Sequence, residues 1–228
     1  MPLRLFNEFE TLKTRILSIG AEVESQVRKA VRAIEHHDLN LARQVLEGDM
    51  RIDQLEVDLE EDCLKALALY QPVAHDLRFL IAILKINSDL ERIGDLAVNI
   101  AERVPAISRM KTKAMPFDFE TICEITQDML KKSLDALVRF DTRLAFEVLA
   151  TDSKVDEINR KIYQTVEDEV QKNPQDINYF IHLMGVYRQL ERIADHATNI
   201  AEDVVYLTKG EIIRHRGRQF QFDSKQEP

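Results

Sequence analysis

Among the carboxylates that follow one another by four residues along this chain, four pairs stand at matching places: Asp49 and Asp53, Glu91 and Asp95, Asp152 and Asp156, Glu191 and Asp195. On a helix, residues at that spacing share a face, about 5–6 Å apart at Cβ, and like charges so placed repel. Two such pairs on neighbouring antiparallel helices can bring four or more oxygens around one point. Carboxylates are hard anionic ligands, and that donor set suits a hard cation or iron.

An ordinary solvated helix face has the same appearance in sequence. At about 100° per residue, Glu91, Asp95, Asn99 and Glu102 fall within roughly a quarter of the circumference, opposite Leu90, Ile93, Ala97, Ile100 and Val104. Asn199 and Glu202 extend the matching stripe of the second half and are secondary candidates. Spacing alone leaves both readings open. What favours a cation site is repetition: the acidic pairs recur at matching positions, while Glu56 and Glu60 become Asn159 and Tyr163.

Other chemistry finds little support. The Glu-x-x-His motif that supplies nitrogen ligands to buried di-iron centres is absent, which disfavours an oxidase. His36, His37, His75, His182, His196 and His215 neither form a metal-ligand spacing nor recur between halves, and read as surface or loop residues. Arg92 and Arg192, beside Glu91 and Glu191, read as local counter-charges. No phosphate loop, nucleophile elbow or nucleotide fingerprint occurs, so no catalytic or organic-cofactor residue is assigned. A carboxylate-bridged metalloenzyme and a metal-free helical scaffold remain as alternatives; the first needs a repeated proton-handling residue that the chain does not offer.

The elements that must position these acids come from an internal repeat. The segment from Asp89 to Glu102 recurs from Gln189 to Glu202, differing only at the pairs Asp89/Gln189, Gly94/Ala194, Leu96/His196 and Val98/Thr198. Upstream, the stretch from Asp38 to Asp53 matches that from Asp141 to Asp156 at an offset of 103. The change of offset is absorbed near Gln71-Pro72 and Asn173-Pro174, where proline marks a loop.

Apolar residues at intervals of three and four predict three helices per repeat. In the first repeat these are the stripe Ile16, Ile19, Val23, Val27, Ala30 and Ile34, then Leu41 to Tyr70, then Asp76 to Val104. In the second they are the stripe Ile122, Leu130, Leu134 and Leu137, then Leu144 to Val170, then Asp176 to Leu207. His37-Asp38 and Phe140-Asp141 interrupt the first and second helices, with aspartate as cap. The expected fold is all-α, a tandem repeat of two three-helix bundles at 1–112 and 113–215, with a junction around Arg109 to Pro116 and a disordered tail at 216–228.

Composition agrees. The chain of 228 residues is 45% hydrophobic and 31% charged, with six Gly, six Pro and no Trp, a balance that favours helix. The net charge of −9 repels nucleic acid and favours cations or basic protein surfaces. No apolar run approaches the roughly 18 residues of a membrane span, and the N-terminal residues lack a secretory pattern. A cytoplasmic location is expected, with Cys63 and Cys123 as free buried thiols.

One further constellation is diagnostic: Leu90-Glu91-Arg92-Ile93-Gly94-Asp95, its partner Leu190-Glu191-Arg192-Ile193-Ala194-Asp195, Gln71-Pro72 before Asp76-Leu77-Arg78, and Lys209-Gly210 before Arg214-His215. From about residue 4 to 215 the chain resembles the PhoU family of phosphate-signalling regulators. The resemblance implies a non-enzymatic cytosolic protein that modulates phosphate uptake and restrains the phosphate-starvation response, linking a phosphate ABC transporter to a membrane sensor histidine kinase. Contact with the membrane would run only through those proteins, and a homo-oligomer such as a dimer is expected. The resemblance also implies surface metal clusters, of iron or of zinc, nickel, magnesium or calcium, held by Asp49, Asp53, Glu91 and Asp95 and by Asp152, Asp156, Glu191 and Asp195.

Overall fold

Helices of some thirty residues need firm stops, and the chain supplies them with residues in the left-handed region followed by aspartate. His37 and Phe140 both have φ of 52°. The aspartate after each caps the next helix: Asp38 Oδ1 accepts from the backbone N–H groups of Asn40 and Leu41 at 2.8 and 3.1 Å, and Asp141 Oδ1 from those of Arg143 and Leu144 at 2.8 and 3.3 Å. Two of the four N–H groups that a helix start leaves unbonded are thereby satisfied.

The computed structural model describes residues 3–110, 115 and 118–213. In chain order the helices are α1 (Leu3–Glu35), α2 (Leu39–Tyr70), α3 (Ala74–Ala101), the short α4 (Val104–Arg109), α5 (Phe119–Arg139), α6 (Thr142–Lys172) and α7 (Ile177–Lys209), with a single 3-10 turn at Pro174–Asp176. No strand occurs among the described residues. α1, α2 and α3 pack on one another, as do α5, α6 and α7, giving the two three-helix bundles of the tandem repeat. No described helix is long and apolar enough to cross a membrane.

Most helix boundaries fall within two or three residues of the sequence reading, and those of α1, α3 and α7 show why they differ. α1 begins at Leu3, well before the Ile16 that opens its apolar stripe. α3 stops at Ala101 instead of Val104, because Pro105 sits in the first turn of α4, where its missing N–H is tolerated. α7 continues to Lys209 and ends on Gly210, whose φ of 73° suits glycine. Most of the junction around residue 113, Arg214, His215 and the tail 216–228 lie outside the described residues.

The core follows the predicted periodicity. Ile16, Ile19, Val23, Val27, Ala30 and Ile34 on α1 are buried, as are Ile122, Leu130, Leu134 and Leu137 on α5. Cys63 and Cys123 are buried free thiols, and burial pushes the Cys63 thiol up to about 12. The most extensive helix contact joins the two bundles, α3 against α7, with α1 also touching α5. α3 and α7 run antiparallel there. Asp89 Oδ1 meets His196 Nδ1 at 2.7 Å and accepts from Asn199 Nδ2 at 3.2 Å, and Lys85 Nζ lies 3.5 Å from the buried Asp203.

Because the caps are local and side-chain mediated, Asp38→Ala and Asp141→Ala should each lower stability by about 1 kcal/mol. For a chain of this size that is a fall in melting temperature of about 2–4 °C per substitution, additive in the double variant. Thermal denaturation followed by circular dichroism checks this.

Candidate metal sites

The packing of α2 on α3 and of α6 on α7 gathers the four acidic pairs into two groups. On the first, Asp49, Glu91 and Asp95 are half-buried and Asp53 is exposed. Helix contact is close: a Cβ on Gly48 would fall 1.7 Å from Gln26 Nε2, so α1 presses on α2 one residue before Asp49. Beside them the buried Asn87 of α3 donates from Nδ2 to the Glu56 carbonyl oxygen at 2.9 Å, tying α3 to α2.

Burial raises the Asp49 carboxyl above its ordinary range, helped by Asp53 on the same helix and Asp95 across on α3. Glu91 is raised by burial, then by Asp95, with smaller contributions from Glu56 and Asp53. Arg92 opposes this, its Nε 3.4 Å from Glu91 Oε2 and its Nη1 3.2 Å from Asp95 Oδ2. The guanidinium is exposed and water screens it, so it offsets the carboxylates only in part.

On the second group Asp152 and Glu191 are half-buried, and Asp156 and Asp195 are more exposed. Burial pushes Asp195 up to about 6, with Asp152, Glu191 and Asp156 adding repulsion. Asp152 is raised by burial and by Asp156, and Glu191 by burial and by Asp156. Arg188 offsets Glu191 in part, and two neutral donors moderate the group further: Thr198 Oγ1 donates to Asp152 Oδ1 at 3.4 Å, and Asn159 Nδ2 donates to Glu191 Oε1.

In both groups the repulsion therefore passes between helices as well as along them. Among the described residues, no three His, Cys, Asp or Glu side chains close on a single point as placed. The donor set nonetheless fits a cation. It consists of hard, partly desolvated oxygens, and the carboxyls of Asp49, Glu91, Asp152, Glu191 and Asp195 are held above their ordinary range by burial and by neighbouring acids.

Several residues behave differently from their sequence reading. Glu56 belongs to the first group: it is half-buried and raised by burial, Glu60 and Asp53. The clue was its place three residues beyond Asp53, matched in the second repeat by Asn159 three beyond Asp156. Arg92 is a counter-charge as expected. Arg192 is not, since among the described residues no carboxylate lies within ion-pair distance of it; it lines a cavity with Arg103 and Arg188. His196 is no surface residue but half-buried against Asp89. Asn199 also turns to Asp89, away from the second acidic group, while Asn99 and Glu102 are exposed.

Comparison with known proteins places this geometry. The model of the PhoU domain matches twice, over residues 16–104 and 119–204. A relative in Aquifex aeolicus (strain VF5), named phosphate-specific transport system accessory protein PhoU homolog, is 39% identical over 214 residues, covering 94% of this chain and 97% of its own. The crystal structure of PhoU from Pseudomonas aeruginosa superposes with a TM-score of 0.87 at 37% identity, covering 90% of this chain and 99% of that one. The phosphate transport system regulatory protein PhoU from Streptococcus pneumoniae gives 0.80 at 28% identity, covering 91% and 98%.

A carboxyl whose folded pKa is raised favours the folded state while protonated, so its contribution is fully present below the unfolded pKa of 3.8 and is lost as pH rises through about 6. Asp195→Asn removes that loss. In EDTA, the variant should melt above the parent at pH 8, with the difference vanishing below about pH 4. Melting temperature measured across this range checks it.

Proposed function

The chain belongs to the PhoU family, and from that membership and its two acidic faces we propose that it is an accessory regulator of phosphate transport that works as a metal-binding docking protein. In this reading it acts at the cytoplasmic side, restrains the phosphate-starvation response, and couples a phosphate ABC transporter to a sensor histidine kinase without turnover of its own. The observation that carries the metal assignment is the doubled set of carboxylates whose charges oppose one another across α2–α3 and α6–α7. Asp49, Asp53, Glu91 and Asp95 would hold ions on one face and Asp152, Asp156, Glu191 and Asp195 on the other. Iron suits these ligands, with zinc, nickel, magnesium or calcium as other occupants. A bound cation would supply positive charge beyond what the exposed Arg92 gives the first face.

The first face also has an apolar neighbour. Leu46, Met50, Val57 and Leu64 are exposed on α2, and at 100° per residue they fall within about 40° of one line beside Asp49 and Asp53. On α6 the matching positions are Leu149, Ser153, Arg160 and Glu167. An exposed apolar stripe rimmed by charge suits a protein partner, and here it distinguishes the two halves: the first is the docking half.

Two experiments test the reading. Elemental analysis of the purified protein should find metal that is lost when all eight carboxylates become Asn or Gln. Added metal should raise the melting temperature of the parent alone; metal-free protein with an unchanged melting curve would remove the metal assignment. Separately, Met50→Glu with Val57→Glu should weaken capture by the transporter's or kinase's cytosolic domains at least about tenfold while leaving the melting temperature within a few degrees. Undiminished capture would place docking elsewhere.

A further inference from the structure

The repeat makes the α3–α7 contact nearly two-fold symmetric, and its polar groups show where the symmetry fails. Under the offset of 100, Lys85 corresponds to Gly185, Asp203 to Arg103, and Asp89 to Gln189. At one end of the contact the charges are complete: Lys85 pairs with the buried Asp203, and Asp89 with His196 and Asn199. At the other end the acid has become arginine and the lysine has become glycine. Arg103 lies directly on the α7 backbone, so close that a Cβ on Gly185 would sit 2.3 Å from its guanidinium carbon.

No internal acid replaces Asp203 at that end. Among the described residues no carboxylate lies within ion-pair distance of Arg103, Arg188 or Arg192, and all three line one cavity of about 630 Å³ with Tyr163 and Gln189. Arg103 Nε and Gln189 Oε1 are buried there without a hydrogen-bond partner. A buried donor or acceptor left unpaired is costly, and three guanidiniums around one cavity, none of them in an ion pair among the described residues although Glu167 also lines it and Glu191 feels Arg188, are an arrangement that recognises oxyanions.

We propose that this cavity, between the end of α3 and the facing sides of α6 and α7, binds a small phosphate-bearing anion in the place that Asp203 fills at the symmetric end. Arg103, held against Gly185, takes the phosphate oxygens at the inner wall, and Arg188 and Arg192 close on it from α7. Gln189 Oε1 accepts from a P–O–H or a ribose hydroxyl. Glu167 also lines the cavity; it disfavours a second charged group on its side and accepts from a hydroxyl, which limits the ligand to inorganic phosphate or a nucleoside phosphate with its sugar toward α6. The site is distinct from the acidic faces and holds no residue assigned to metal.

Isothermal titration calorimetry of the full chain in EDTA, so that no metal ion bridges protein and ligand, tests this with inorganic phosphate and with ATP as probes and with sulfate at matched ionic strength as control. Saturable one-to-one binding of phosphate, or of ATP alone, supports the site and tells the two sources apart. It should weaken at least about tenfold in Arg188→Gln and in Arg103→Gln, and stay unchanged in Arg28→Gln, which removes an exposed guanidinium of α1 remote from the cavity. In the parent protein, the bound probe should shield Arg103 and Arg188 from phenylglyoxal, read by peptide mass spectrometry, which needs no variant to fold. Absence of saturable binding, equal binding of sulfate, or phosphate binding indifferent to both arginine variants would overturn the proposal.

Discussion

α3 and α7 are each asked to serve two neighbours at once: the helices of their own bundle and each other. That demand explains why Leu90, Ile93, Ala97 and Ile100 are buried together with their repeats Leu190, Ile193, Ala197 and Ile200. It also explains why Ala and Gly recur along both helices, since close approach on several sides leaves little room for long side chains. With α3 and α7 committed inward, α2 and α6 become the outer walls. Their outward faces, free of packing duty, are where charge can accumulate. The acidic groups form where these outer helices meet the edges of α3 and α7 that the central contact leaves uncovered, Asp49 and Asp53 beside Glu91 and Asp95, and Asp152 and Asp156 beside Glu191 and Asp195.

Much of this was legible because the determinants are local. Apolar residues at intervals of three and four mark the helices, Asp38 and Asp141 mark their caps, and carboxylates four apart must share a face whatever surrounds them. What sequence spacing does not contain is which side of α7 meets α3. Hence His196 reads as a surface or loop residue and Asn199 as part of an acidic stripe, although across the bundle boundary both meet Asp89. Arg192 read as a copy of Arg92 for the same reason. Its local sequence is a copy, but the groups that approach it come from helices far away in the chain. Glu56 was missed differently: its counterpart Asn159 is uncharged, and attention to what stays identical passes over a residue that changes while keeping its place.

The two halves have diverged unevenly, and the pattern separates fold from function. Many buried positions stay apolar between repeats, as Ile52 and Val155, Ile83 and Leu183, and Ile93 and Ile193 do, although Asn87 becomes Tyr187 and Leu96 becomes His196. The polar positions of the central contact have instead drifted to opposite outcomes, a closed Lys85–Asp203 pair at one end and unpaired Arg103 at the other. The first acidic face gains an ion-paired arginine and an apolar border, whereas the second has the hydrogen bonds of Asn159 and Thr198 with Arg188 acting on Glu191 from outside ion-pair distance. A doubled fold offers two equivalent platforms, and each has been specialised.

Magnitudes show why these faces can persist. A repelling carboxylate pair on a helix costs about 0.2–0.5 kcal/mol, whereas each fully buried Leu or Ile contributes about 1.5–3 kcal/mol. With a core running through both bundles, four such pairs are tolerable and do not decide whether the chain folds. Tolerance does not explain retention, however. A cost this small is removed by single substitutions, as the change from Glu60 to Tyr163 between the halves shows that neighbouring acids can be. Glu91, Asp95 and their repeats remain nonetheless, and a local conflict that stands in both halves of an otherwise consistent fold supports the proposal that these faces hold a cation.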